Sequence, residues 1–298
     1  MKYISVKEAA RLWNLSERSV RNYCANGRVE GAFLTGKTWN IPENAVKPVR
    51  INATIKPPQT LAEILIDEMK SGRKGGIYHK VQIELTYNSN HIEGCRLTAD
   101  QTRYIFETNT IGVLKDEALN VDDIIETANH FRCVDTVISN YNKKLSESFI
   151  KQLHSMLKSG TSDSRKEWFA VGDYKKMPNE VGGEDTTPPK KVHTDMAKLI
   201  SDYENGEAKT LDDIIEFHAE FEKIHPFQDG NGRIGRLIMF KECLRFGIVP
   251  FIIDASIKLP YYNGLKKWSS ERGYLIGTCQ LAQDAFKGML DYFKITDF

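Results

Sequence analysis

Apolar residues recur at helical spacing along most of this chain. Leu61, Ile64, Leu65 and Met69 form one stripe, and Val121, Ile124, Ile125, Ala128 and Phe131 form another. A third, Leu211, Ile214, Ile215, His218 and Phe221, runs straight into His225. The period breaks at about Trp168–Pro189, where Val171, Tyr174 and Val181 flank Gly182-Gly183, and this predicts a β-hairpin set into a helical domain. After Phe251 the helical pattern returns. There is no internal repeat and no low-complexity stretch. The fold class expected is mainly α with two small β elements.

The second β element belongs to the N-terminus. Ser5 and Glu8 have capping-box spacing, which opens a helix to about Trp13 with Val6, Ala9, Ala10 and Trp13 on one face. Asn14-Leu15 turns the chain, Ser16 caps a second helix to about Ala25, and Asn26-Gly27 stops it. Residues 31–35 and 38–41, joined across Gly36-Lys37, predict a wing hairpin. Two short helices and a wing resemble a winged helix-turn-helix of the excisionase type over residues 1–47. Residues 48–60, rich in Pro and Thr, read as a linker, and 61–298 as a larger helical domain.

Charge sharpens this division. Residues 1–50 carry nine Lys or Arg against four Asp or Glu, a net of +5, whereas the whole chain carries +1. Arg18 and Arg21 on the second helix, with Arg28 and Lys37 nearby, are placed to meet DNA phosphates or base edges. Units of this size also serve as dimerisation or peptide-docking modules, so that reading stays open beside DNA binding. The five cysteines (Cys24, Cys95, Cys133, Cys243, Cys279) are odd in number and form no Cys-x-x-Cys pair. They are expected to be reduced thiols of a cytoplasmic protein. No run of about 18 apolar residues suggests a membrane span, and none of the N-terminal residues suggests a secretory leader.

The chemistry is concentrated at His225–Arg236, which reads His-Pro-Phe-Gln-Asp-Gly-Asn-Gly-Arg-Ile-Gly-Arg. Pro226 forbids simple continuation of the helix ending at Ile224. Gly230 and Gly232 flank Asn231 just where a new helix, expected to run to Phe246, begins. A glycine-bearing loop at a helix start exposes backbone amides in a favourable dipole, which is a phosphate cradle. Arg233 and Arg236 are three apart and leave one helix face, so they can grip successive phosphates. Asp229 is placed to hold Mg²⁺, and His225 is a candidate base.

This string is similar to the signature of the Fic family, His-x-Phe-x-(Asp/Glu)-Gly-Asn-Gly-Arg-x-x-Arg, at every defined position. The resemblance covers about residues 61–295 and implies an α-helical fold that moves AMP from ATP to a protein hydroxyl. It implies that His225 deprotonates a Ser, Thr or Tyr of the target, that Asp229 binds Mg²⁺, and that the loop amides with Asn231 hold the α-phosphate. Arg233 would reach the β-phosphate and Arg236 the γ-phosphate. Phe227 would anchor the loop, Tyr262 and Asn263 would lie on the adenine side, and the hairpin at about 171–189 would be a flap that pairs with the target backbone. One departure is visible: the family often shows Gly-x-Tyr-Arg before the flap, and here Gly172 and Tyr174 are followed by Lys175. Lys175-Lys176 and Lys190-Lys191 read as solvated charges at the flap edge. His218 reads as a packed core histidine, and His91 as a residue on a helix face.

A second motif, Ser89-Asn-His-Ile-Glu93-Gly94, resembles the inhibitory motif (Ser/Thr)-x-x-x-Glu-(Gly/Asn) of many Fic proteins. An inhibitory helix over about 78–94, ended by Gly94, would carry Ser89 and Glu93 on one face. A carboxylate delivered to Arg236 would take the γ-phosphate's place. The expectation is a self-restrained protein adenylyltransferase. Removal of AMP by a water oriented on Glu93, a DNA-binding regulator with a nucleotide-sensing core, and a toxin-like role are the alternatives. The sequence leaves open the target, the nucleotide preference and the oligomeric state, a homo-oligomer included.

Overall fold

Ser5 ends a short strand and caps a helix at once. The computed structural model describes residues 2–48, 59–112 and 118–296, in two units, Met1–Pro57 and Pro58–Phe298. Most of the expected linker therefore lies outside the described residues. In the first unit β1 (Tyr3–Ser5) leads into α1 (Val6–Trp13) and α2 (Glu17–Ala25), then β2 (Phe33–Thr35) and β3 (Thr38–Pro42). The Ser5 hydroxyl accepts from the Glu8 amide while the Glu8 carboxylate accepts from the Ser5 amide, so both free amides are satisfied. The three strands form an antiparallel sheet in the order β1-β3-β2, with Ile4 opposite Ile41 and Leu34 opposite Trp39. Strand β1 was not expected, because three residues are too few to show alternation. Val6, Ala9, Trp13, Val20, Cys24, Val29 and Ile41 make the core of this unit.

The second unit is helical: α3 (Leu61–Ser71), α4 (Ile77–His91), α5 (Ala99–Thr108), α6 (Val121–Ser139), α7 (Glu147–Lys158), α8 (Pro189–Glu204), α9 (Leu211–Ile224), α10 (Asn231–Arg245), α11 (Lys258–Lys266) and α12 (Arg272–Tyr292). Helix α10 is buried on every side, through Ile234, Leu237, Ile238, Met239, Phe240, Cys243 and Leu244. A helix buried all round has to be central, and α10 packs against α9, α6, α4, α7 and α3. Its first turn therefore opens onto a spot that those helices surround. No helix among the described residues is long and apolar enough to cross a membrane.

Three expectations need correction. The hairpin is far shorter than residues 171–189: β4 (Glu180–Val181) pairs with β5 (Glu184–Asp185) across Gly182-Gly183, and the chain before it is irregular. Tyr174 does not flank a strand but is buried against the Phe227 ring, 5.8 Å away, because its large ring is worth more under the loop than at an edge. Helix α4 ends at His91, so Glu93 lies in the turn that follows and not on the helix itself. Gly94, at φ 100°, lets that turn reverse.

Candidate active site

The helix α9 closes with His225 in the left-handed region at φ 51°, and Pro226 prevents its extension. The loop to α10 is held by Asn231, whose side-chain oxygen accepts from the Phe227 amide (2.8 Å) and whose nitrogen donates to the Phe227 carbonyl (2.9 Å). Both polar atoms of the Asn231 side chain thus point into the loop, and only its backbone joins the helix start. The Phe227 ring is fully buried and stacks on His154 at 4.0 Å. His154 in turn bonds the Asp229 carbonyl (3.2 Å) and accepts from the Gly172 amide (2.9 Å).

Glycine is required at the helix start for reasons of space. A Cβ at Gly232 would fall 2.2 Å from a Glu93 carboxylate oxygen, so that carboxylate lies directly against the first turn of α10. This is where the helix amides and dipole favour an anion. Arg236 meets the same group: it donates to Glu93 Oε1 at 2.7 Å, to Ser89 Oγ at 3.0 Å and to the Ser89 carbonyl at 2.9 Å. Burial pulls the guanidinium's pKa down, but Glu93 and Tyr261 outweigh it and hold the charge firmly. One nitrogen of Arg236, Nη1, is buried without a hydrogen-bond partner.

Arg233 is also engaged. It pairs with Glu126 of α6 and donates to Asp229 Oδ2 at 3.0 Å. Lys158, at the end of α7 and buried, pairs with Glu126, with Asp163 (3.0 Å) and with Asp229 (2.7 Å). Burial pushes the Asp229 carboxyl up, yet Arg233 and Lys158 hold it well below the usual carboxylate range. The Asp229 side chain is half exposed, and among the described residues there is no group of three His, Cys, Asp or Glu able to cage a metal. One open carboxylate suits Mg²⁺, which takes most of its oxygens from phosphates and water.

Burial lowers the His225 pKa to about 4, the Lys175 ammonium adds to this, and the imidazole is neutral at pH 7. Its Nδ1 lies 3.8 Å from Glu222 Oε2. Burial, with Glu93 adding, pushes the Glu222 carboxyl up to about 8. His218 is buried as expected and bonds the Tyr261 hydroxyl at 2.7 Å. His91 stacks on Tyr87 at 5.2 Å along α4.

The structure therefore brings His225, Asp229, Gly230, Asn231, Gly232, Arg233 and Arg236 together with Ser89 and Glu93. Tyr262 on α11 reaches the Ile92 carbonyl at 3.4 Å, beside the Glu93 turn, whereas Asn263 is exposed. Lys158, Glu126, Glu222 and Lys175 were not foreseen at the site. Lys158 looks in sequence like an ordinary basic residue in a last helical turn, and nothing local marks Glu126. Lys175 is a direct correction: it is buried under the hairpin, not solvated at its edge.

In the first unit Arg18, Arg21 and Lys37 are exposed, with Arg21 paired to Glu17 at 2.9 Å, and Arg28 lies over the Tyr23 ring at 4.7 Å.

The glycine-bearing start of α10 thus follows directly on a histidine at the end of α9, and residues 144–243 match the Fic/DOC family. The chain is 27% identical over 193 residues to the protein adenylyltransferase Fic of Culex quinquefasciatus, covering 62% of this chain and 36% of that protein. It is 27% identical over 188 residues to the protein adenylyltransferase fic-1 of Caenorhabditis briggsae, covering 60% and 35%. The chain thus spans little more than a third of the curated relatives it matches. A Fic-domain-containing signaling protein from Bacteroides thetaiotaomicron superposes with a TM-score of 0.59 at 25% identity, over 76% of this chain and 97% of that one.

Proposed function

We propose that the second unit is a protein adenylyltransferase that moves AMP from ATP to a Ser, Thr or Tyr hydroxyl of a target protein and is held off by its own Glu93. The observation that carries this reading is the Glu93 carboxylate set against the first turn of α10 and paired with Arg236. A γ-phosphate would have to take that place for ATP to lie in line for reaction. With Glu93 withdrawn, Arg236 and Arg233 would hold the outer phosphates, and the amides at Gly230, Asn231 and Gly232 would hold the α-phosphate. Tyr262 and Asn263 would border the adenine. Asp229 would hold Mg²⁺, whose chemistry when bound is to neutralise the phosphate oxygens. His225, neutral at pH 7, would accept the proton of the attacking hydroxyl while the β5–β4 edge pairs with the target backbone.

The test is transfer of label from ATP labelled at the α-phosphate. Glu93→Gly should label itself or a lysate protein about tenfold or more above the native chain, a coupling of the usual allosteric size. The double variant with His225→Ala should label nothing. If Glu93→Gly transfers no label to either, the reading fails. The Glu93 side chain is 30% exposed, which favours a second use of the same group, orienting a water that removes AMP. Loss of AMP from a modified protein with the native chain, but not with Glu93→Gly, would show it.

For the first unit we infer a winged helix-turn-helix that meets DNA through Arg18, Arg21, Arg28 and Lys37, supported by the outward position of three of the four. The five unpaired cysteines suit a cytoplasmic setting.

A further inference from the structure

Lys175 is 3% exposed, yet it has no charged partner among its hydrogen bonds. Its Nζ donates to Asn179 Oδ1 (2.6 Å), Thr186 Oγ1 (2.5 Å) and the Ile224 carbonyl (3.3 Å). All three acceptors are neutral oxygens, and an ammonium is seldom buried on such terms. The three come from different places: Asn179 precedes β4, Thr186 follows β5, and Ile224 is the last residue of α9, directly before His225. The Lys175 amide also donates to the Pro226 carbonyl at 2.8 Å. Around this centre Asn179 donates to the Phe227 carbonyl (3.0 Å), and the Thr186 hydroxyl donates to Asn179 while accepting from Lys175.

We propose that Lys175 is a positioning residue that clasps both stems of the hairpin to the turn carrying His225, so that the docking edge and the base move as one body. This rests on the adenylyl-transfer reading for its purpose but not for its geometry. Two strands of two residues each cannot hold a hairpin in place by their own pairing. The three-donor ammonium supplies the connection that the strands lack. Its charge also acts on His225. The groups facing that imidazole are Lys175 from the hairpin stem, Glu222 one turn back, Glu93 from the turn after α4, and Asp229 from the loop. Lys175 is the one cation among them and works with burial to keep the base unprotonated.

The experiment uses the full chain without nucleotide, so it stands or falls apart from any transfer activity. Limited proteolysis would read cleavage within residues 176–188, and NMR would follow the His225 imidazole from pH 3 to 7, assigned by its loss in His225→Asn. Lys175→Met should speed hairpin cleavage by about tenfold or more, an opening change of the size that loss of a buried bond to a charged group brings. It should also raise the His225 midpoint by about one unit. Lys175→Arg, which keeps charge and donors, should return the midpoint to the native value. Should Lys175→Met fail to fold, Thr186→Val removes one of the ammonium's three acceptors, together with that hydroxyl's bond to Asn179, and should still speed cleavage. Unchanged cleavage in a folded Lys175→Met, or in Thr186→Val where the methionine variant does not fold, would overturn the proposal. So would a His225 midpoint that stays put in Lys175→Met, or that Lys175→Arg leaves displaced.

Discussion

Replacing Glu93 by glutamine is the most direct probe of the resting state, because it keeps the side chain's length and removes only its charge. Arg236 would lose its carboxylate at 2.7 Å and keep the Ser89 hydroxyl at 3.0 Å and carbonyl at 2.9 Å. Removing one partner of a buried ion pair costs about 3–5 kcal/mol. Here Glu93 is 30% exposed and glutamine can still accept one bond, so a loss of about 1–3 kcal/mol is expected. For a domain of this size each kcal/mol lowers Tm by about 2–4 °C.

The same free energy should reappear when nucleotide binds. On the proposed reading a triphosphate has to displace a carboxylate from Arg236 in the native site, and only a neutral, more weakly held amide in the variant. The gain of about 1–3 kcal/mol is about 5–150-fold in Kd. Thermal denaturation with and without Mg-ATP, together with calorimetric titration, gives a signature of two opposite movements. The nucleotide-free Tm should fall while the shift produced by Mg-ATP grows. A lower nucleotide-free Tm with an unchanged Kd would refute the reasoning, since Glu93 would then be a structural ion-pair partner and nothing more.

Lys158→Met should be among the most destabilising single changes in the second unit, by about 3–5 kcal/mol in urea denaturation, because Glu126, Asp163 and Asp229 all lose their shared cation. A loss under about 1 kcal/mol would mean that Arg233 and solvent replace it. Stability should also fall as pH drops from about 6.5 toward 4. Burial lowers the pKa of His130 and His218 to about 3 and of His154 and His225 to about 4, so in this window the unfolded chain takes up protons that the folded one refuses. Glu222, raised to about 8, opposes this with one proton; urea midpoints that stay flat from pH 7.5 to 4.5 would contradict the four buried neutral rings. For the first unit, Arg18→Ala with Lys37→Ala should weaken DNA binding and flatten its salt dependence by about two counterions. An unchanged slope would remove both from the interface.

What was legible in the sequence follows from how local each signal is. The Ser5–Glu8 capping box, the helical stripes and the loop before α10 depend on residues within about one turn of each other, and their spacing states them outright. Strand β1 and the true length of the β4–β5 hairpin escape such reading because two or three residues carry no periodicity. Glu126 meets Arg233 from 107 residues away and Lys158 meets Asp229 from 71, so only the packing of α6 and α7 on α10 brings them together. Lys175 shows the opposite failure. Next to Lys176 and near two glycines it has every mark of a surface charge, and only the neutral oxygens of Asn179, Thr186 and Ile224 allow it to be buried.

Arg233 and Arg236, near the start of α10, end on carboxylates from distant parts of the chain, but the two carboxylates are not equivalent. Glu126 lies within α6, its side chain is 14% exposed, and it is tied to both Arg233 and Lys158. Withdrawing it would take a carboxylate from two buried cations at once and leave Arg233 and Lys158 to share Asp229, so it belongs to the scaffold that sets Arg233 and Asp229 in register. Glu93 lies in a turn after its helix has ended, is twice as exposed, and strands one cation that Ser89 continues to bond. On free-energy grounds Glu93 is the group that can leave while the fold survives. On the proposed reading the restraint would therefore sit at the γ-phosphate end of the cradle, where release of one side chain would open Arg236 without loosening the cluster around Asp229. A variant at Glu126 should accordingly lose stability and nucleotide binding together, whereas one at Glu93 should trade the first for the second.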